Sequence, residues 1–162
     1  MVKYADAPQA EAEVSIDAAP GAVWPLVTDI SLPAQFTAEF QGADWVDDGP
    51  ALGATFHGHN KHQFVGEWTT TCTVTAFEDG SVFEWTVGDV ENKTARWRFD
   101  LAPSETGSSL RFSAEMGPGP SGLTMAIQQM PDREEEIVAN RLAEWTGNMQ
   151  ATLDGIKGLA ET

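Results

Sequence analysis

Basic residues are scarce in this chain of 162: nine Lys and Arg stand against 25 Asp and Glu, for a formal net charge of −16. A surface of that sign repels phosphates, and no basic stripe offsets it, so nucleic acid is excluded as a partner and anionic membranes are disfavoured. The excess fits a soluble protein of an acidic, salt-adapted proteome. There is one cysteine, Cys72, which rules out an intramolecular disulfide and fits a reducing compartment. No run approaches the roughly 18 apolar residues of a spanning helix, so membrane insertion is not expected. The opening MVKYADAPQAEAEV has no apolar leader core, and the expected location is cytoplasmic. Internal repeats, low-complexity tracts and linkers are missing too. The expectation is one domain over 1–162, with 1–10 as a loose N-terminal tail.

What the chain does have is aromatic bulk: six Trp and eight Phe against a single Tyr. That composition points to a large interior with few phenols for chemistry. Residues 11–17 alternate Ala12, Val14 and Ile16 with charged neighbours, as a half-buried strand does. Two short helical stretches follow, AVWPLVTD behind Pro20 and SLPAQF from Ser31. From about Phe40 the pattern is all strand. In EWTTTCTVTAF, residues 67–77, Trp68, Thr70, Cys72, Val74 and Ala76 share one face, and the other carries Glu67 and threonines. Asp79-Gly80 turns the chain. Phe83, Trp85 and Val87 then point inward, as do Ala95, Trp97, Phe99 and Leu101, and finally Leu110, Phe112, Ala114 and Met116.

Strands with one apolar and one polar face, joined by short turns, make an antiparallel meander whose apolar side needs a cover. The C-terminus supplies it. Pro131 and Asp132 open a helix, with Asp132 and Glu135 at capping-box spacing. Val138, Leu142, Trp145, Met149, Leu153 and Ile156 keep one face over roughly 27 residues, about 40 Å of helix. The eleven-residue strand spans about 36 Å, so one helix can lie along the sheet.

This order is that of the helix-grip fold, and the wording of the sequence agrees. EVSIDAAPGAVWPLVTDISLPAQF resembles the entry of the START-like (SRPBCC) superfamily. GATFHGHN, EWTTTCTVTAF, VFEWTV, TARWRFDL and the tail GPGPSGLTMAIQQMPDREEEIVANRLAEW resemble its bacterial polyketide cyclase/dehydrase branch. The resemblance runs from about residue 11 to 160. It implies an α+β fold: a curved antiparallel sheet of about seven strands wrapped around a long C-terminal helix, with two short helices after the first strand. It also implies a cavity for a hydrophobic or amphipathic small molecule. The inward residues that would line it are Phe56, Trp68, Thr70, Trp85, Trp97, Phe99, Phe112, Met125, Trp145 and Met149, with Asn60 at its mouth. Residue by residue, plain core packing competes with that role.

The densest cluster of chemistry-bearing side chains is ATFHGHNKH, with His57, His59 and His62. Phe56 is the natural inward residue, so strand parity turns His57 and His59 to the solvated face. A bulge at Gly58 would reverse part of this. His62 falls in the following loop. No third ligand of rigid geometry accompanies the pair, so neither a metal nor another cofactor is expected. Asn60 points inward and suits either a ligand carbonyl or a loop backbone group. Arg141 flanks the helix stripe and suits either an enolate or carboxylate in the cavity, or a salt bridge to Glu134 or a sheet carboxylate. Cys72 has no activating neighbour and reads as core. The Gly/Pro-rich segment 117–130 reads as a lid over one opening, or simply as a connection.

Binding of a hydrophobic metabolite for transport, sequestration or sensing is the first expectation, because the inward face lacks an acid/base pair. The second is a cyclase or dehydratase acting on a poly-β-ketone, with Asn60, Thr70 and Arg141 polarising carbonyls. The third is a self-protection protein that captures a reactive natural product. The convex face shows no dimer patch, so a monomer is expected.

Overall fold

A computed structural model describes residues 2–162. Its centre is a seven-stranded antiparallel sheet: β1 (Gln9–Ile16), β2 (Phe40–Trp45), β3 (Thr55–His62), β4 (Gly66–Glu78), β5 (Val82–Gly88), β6 (Lys93–Ser104) and β7 (Gly107–Met116). The spatial order is β1-β7-β6-β5-β4-β3-β2, a meander closed by the first strand at its far edge. Between β1 and β2 run α1 (Pro20–Val27) and a 3-10 turn (Leu32–Gln35). After β7 come α2 (Gly122–Gln129), a 3-10 turn (Pro131–Arg133) and the 27-residue α3 (Glu134–Ala160). This is the expected α+β architecture. The second short helix is a 3-10 turn rather than an α-helix.

The sheet curls, and α3 lies in its concave side mainly against β1 and α1, and less against α2 and β7. Ile16, Leu110, Met149, Leu153 and Ile156 are sealed there, each under 2 % exposed. Phe99 and Phe112 stack at 3.9 Å and 15°, a contact that adds about 1 kcal/mol to their burial. The outer face is a lattice of charges. Lys93 and Arg96 both meet Glu115, Arg98 meets Asp100, and Arg111 meets Glu11.

Three local expectations are corrected. Asp132 does not cap the long helix: it sits in the preceding 3-10 turn, and α3 begins after Arg133 without a side-chain cap. The Glu134 carboxylate instead accepts the Tyr4 backbone N–H at 2.9 Å. Residues 4–10 are also not loose. Tyr4–Asp6 form a 3-10 turn, the Tyr4 hydroxyl donates to the Gly119 carbonyl at 2.6 Å, and Gln9 and Ala10 already pair with β7. Finally, Ala76 does not face inward. The β4–β5 register shifts between Val74 and Ala76, so Thr75 and Ala76 both lie outside and Phe77 turns in against Phe83. The Thr75 hydroxyl reaches Glu84 at 2.8 Å and Thr86 at 3.1 Å, which satisfies the side chains at the bulge.

Candidate functional site

Because α3 keeps to the β1–β7 side, the inner surface of β3–β6 is covered less completely. Trp85, on the central strand, packs on Phe83, Phe99 and Phe112 with ring centroids 5.2 to 6.1 Å away, yet is only half-buried. Trp97 is also half-buried, with its ring 4.7 Å from that of Trp145 on α3. A side chain on the inner face of a central strand has one direction in which to be exposed, the space between sheet and helix. Trp85 and Trp97 therefore keep part of their surface open on the concave side of the sheet. Trp68, Thr70 and Asn60, along β4 and β3, are likewise on the inner face and half-buried.

The expected lining residues thus divide in two. Trp68, Thr70, Trp85, Trp97 and Asn60 are partly exposed on the concave face, and Trp145 is 8 % exposed. Phe56, Phe99, Phe112 and Met149 are buried behind them as core. Met125 is a correction: it is 62 % exposed, on the outer face of α2. Helical period explains this, since Leu123 and Ile127, four apart, pack against the core and Met125 falls opposite them. The stretch before α2 is fastened rather than freely hinged. The N–H groups of Gly117 and Gly119 donate to Thr94 and Lys93 at 2.8 and 2.7 Å. A side chain at Gly119 would strike the Asn92 carbonyl at 2.2 Å, so only glycine permits this approach.

The polar groups of this face are unusual in what they leave open. Among the described residues, Trp24 alone of the tryptophans has its indole N–H satisfied, by Asp79 at 2.8 Å. The N–H groups of Trp68, Trp85, Trp97 and Trp145 have no partner among the described residues, and none is sealed from solvent. The Asn60 amide likewise has no hydrogen bond among the described residues. The Thr70 hydroxyl makes only a long contact, 3.4 Å, to the Gly58 carbonyl and another to the Cys72 sulfur. Burial pushes the Cys72 thiol up to about 11, so it is a core residue rather than a nucleophile.

Gly58 carries no bulge: the β3–β4 register is unbroken, His57 is exposed, and His59 faces out to Asp44 at 3.0 Å and Thr69 at 3.2 Å. His62 is the correction here. It ends β3 rather than sitting in the loop, and the same parity turns it inward. Its Nδ1 accepts the Phe64 backbone N–H at 3.2 Å, so Nε2 carries the proton and donates it to Glu144 at 2.9 Å. Arg141 is not free to meet a ligand. It forks onto Glu39 through two hydrogen bonds of 2.7 Å and touches Glu144 at 3.2 Å. Its partner is neither Glu134 nor a residue in mid-sheet, but the carboxylate immediately before β2. The chain Glu39–Arg141–Glu144–His62 therefore ties α3 to the β2–β3 edge. No sequence expectation covered Asn148. It lies three residues beyond Trp145 on the line that carries Arg141, is half-buried, and has no side-chain partner among the described residues. That i, i+4, i+7 spacing was the signal.

Two surface depressions lie elsewhere. One, of about 340 Å³, sits on the outer face above Ser113 among Arg96, Arg98 and Arg111. The other, of about 470 Å³, lies beside Lys3 and residues 131–136. Both are walled largely by charged side chains, and neither suits an apolar molecule.

Residues 7–161 match the family described as polyketide cyclase / dehydrase and lipid transport, and the chain belongs to it. A Polyketide_cyc-like protein of Corynebacterium glutamicum, solved in solution, is 30% identical over 92% of this chain and 88% of its own, with a TM-score of 0.64. The di-domain aromatase/cyclase BexL of the BE-7585A biosynthetic pathway superposes with a TM-score of 0.72 at 19% identity. It is covered over 50% of its length and covers 96% of this chain. The protein KanY gives 0.66 at 16% identity, over 96% of this chain and 99% of its own. The last two show the shared fold. No curated protein sequence matches the chain. Among the described residues, no helix is long and apolar enough to cross a membrane.

Proposed function

We propose that the protein binds a hydrophobic or amphipathic small molecule in a groove between the β3–β6 surface and α3, to carry, sequester or sense it. The observation that carries this reading is the incomplete burial of Trp85 and Trp97 on the concave face of central strands. A protein that needed only a core would close that space, since burying two indoles fully is worth several kcal/mol. The family description, which joins lipid transport to cyclase chemistry, supports it. The working form is a cytoplasmic monomer, and α2, fixed by Leu123 and Ile127 without a fully buried residue, serves as a lid.

The test is native mass spectrometry of protein purified from its own host, followed by titration with the neutral apolar dye Nile red. A stoichiometric adduct, or saturable dye fluorescence lost on substituting Trp97 by Ala, supports the reading. An empty protein that takes up no dye would mean the interior is closed.

A second reading is cyclisation or dehydration of a poly-β-ketone, favoured by the family description and by the aromatase/cyclase among its structural neighbours. In that reading Asn60 and Thr70 would polarise a carbonyl. Arg141, held by Glu39, is not free to, and the imidazole nitrogens of His62 are both engaged. The binding reading therefore stands first.

A further inference from the structure

Four of the nine basic residues, Lys93, Arg96, Arg98 and Arg111, stand on β6 and β7, where they meet Glu11, Glu84, Asp100 and Glu115. These cations and carboxylates cancel, so the net charge of −16 lies elsewhere on the molecule. Cross-strand register shows where this lattice is incomplete. Arg96 stands opposite Glu115, and Asp100 opposite Arg111, so that base faces acid in each pair. The pair between them, Arg98 and Ser113, has no carboxylate. Ser113 is short where its neighbours are long. The outer depression of about 340 Å³ opens there, lined by Ser113 and by Arg96, Arg98 and Arg111. The two carboxylates in its wall, Asp100 and Glu115, are already engaged by Arg98 and by Lys93 and Arg96. The guanidiniums keep donors in reserve. Arg96 gives Nη2 to Glu115 at 3.1 Å, Arg98 gives Nε to Asp100 at 3.0 Å, and Arg111 gives Nε and Nη2 to Glu11. Nη1 of Arg96, Nη2 of Arg98 and Nη1 of Arg111 have no partner among the described residues, nor has the half-buried Ser113 hydroxyl.

We infer that this depression binds a phosphoryl group, free or esterified, whose oxygens take the spare nitrogens of Arg96, Arg98 and Arg111 and the Ser113 hydroxyl. The anion supplies the charge that the lattice lacks opposite Arg98. A tetrahedral dianion has oxygens enough for three guanidiniums at once, and guanidinium–phosphate bonds are charge-assisted and geometrically matched. A single carboxylate has two oxygens and fills fewer of these positions. A nucleic acid is not accommodated, because Glu11 and Glu84 stand beside the same arginines and repel further phosphates. The site is on the convex face, so it is independent of the binding reading above.

Calorimetric titration of the full chain with inorganic phosphate and with phenyl phosphate, in chloride buffer at one fixed ionic strength, tests this. The three arginines are 38 to 49 % exposed, and exposed ion pairs are screened and individually weak. Saturable binding with a Kd on the order of 1 mM is therefore expected. Ser113→Ala removes one hydrogen bond and should weaken it about fivefold. Ser113→Glu supplies the missing carboxylate from the chain itself. It should abolish binding while the urea midpoint stays at or above that of the natural protein, an outcome that mere damage to the sheet would not give. If Ser113→Glu folds poorly, Arg98→Gln decides instead, with an expected loss of about tenfold. Tighter binding of phenyl phosphate assigns the site to an esterified phosphate, and tighter binding of inorganic phosphate assigns it to the free ion. No saturable binding of either probe, or binding that Ser113→Glu and Arg98→Gln leave unchanged, overturns the inference.

Discussion

The Arg141 guanidinium and the Glu39 carboxylate, 102 residues apart in sequence, face each other through two parallel hydrogen bonds of 2.7 Å. Both side chains are less than one-fifth exposed. A planar fork matched to a carboxylate is the strongest form of ion pair, and a lysine cannot reproduce it. Arg141→Ala would leave Glu39 half-buried and unpaired, so a stability loss of about 2–3 kcal/mol in urea unfolding is expected, below the full cost of a sealed pair. Arg141→Lys should recover less than half of it. A loss under about 0.5 kcal/mol in Arg141→Ala would show that the fork does not hold α3 to the β2 edge.

The neighbouring His62–Glu144 contact predicts a pH response. Burial alone pushes the Glu144 carboxyl up, but the His62 hydrogen bond and the Arg141 charge outweigh it and hold the group below its ordinary 4.5. A depressed carboxyl contributes its stabilisation above the ordinary value and loses it as pH falls through the lower, folded one. Stopped-flow uptake of Nile red should therefore be flat above about pH 5 and accelerate below 4.5, as the tie between α3 and the β2–β3 edge lets go. Glu144→Gln should be fast and flat over the same range. An unaltered acid limb in Glu144→Gln would place the sensing group elsewhere.

Period carried most of the architecture in the sequence. Two-residue alternation located β4 to β7, and the 3-4 spacing from Val138 to Ile156 located α3, because each pattern repeats over many residues. The failures are single events within those patterns. One extra residue at Thr75 swapped Ala76 for Phe77, and nothing in VTAFE marks it, since Thr and Ala suit either face. Met125 went astray because a two-turn helix has too few residues to reveal its phase. His62 was misplaced by ending β3 two residues early, which hid that the parity of Phe56 and Asn60 extends to it. The partner of Arg141 was beyond reach for another reason. Local spacing offered Glu134 at a distance of seven residues, whereas the sheet's curl delivers Glu39 from 102 residues away. Contacts made by curvature leave no periodic trace.

Cys72 offers a pH effect of opposite sign. Burial raises its thiol to about 11, against the weaker opposing hydrogen bond with Thr70. A raised acid favours its neutral form in the fold, so its stabilisation is complete below about pH 9 and is lost progressively towards 11. Stability of the natural protein should fall by up to about 2 kcal/mol more than that of Cys72→Ala between those limits, in parallel urea titrations. The same burial predicts that a maleimide labels Cys72 only after unfolding. Rapid labelling of the folded protein at pH 7 would mean the β4 inner face opens spontaneously.

Two glycines of α3 separate helix propensity from packing. Gly147 is exposed and a methyl group there would meet nothing within 4 Å, so Gly147→Ala should raise stability by about 1 kcal/mol through backbone entropy alone. Gly155 sits equally within the helix, but its added carbon would lie 2.5 Å from the Phe36 ring. There the gain of about 1 kcal/mol in helix propensity is opposed by roughly 1–3 kcal/mol of overpacking, and the clash prevails. Gly155→Ala is expected to lose about 1 kcal/mol in urea unfolding, and Phe36→Ala introduced beside it should turn that loss into a gain relative to Phe36→Ala alone. Phe36 stands just past the 3-10 turn that leads to Glu39 and β2, so displacing its ring would also shift the segment that carries Glu39. A parallel Nile red titration should accordingly show weakened affinity in Gly155→Ala and no change in Gly147→Ala. Equal stabilisation by both substitutions would show that the Phe36 ring does not rest on α3.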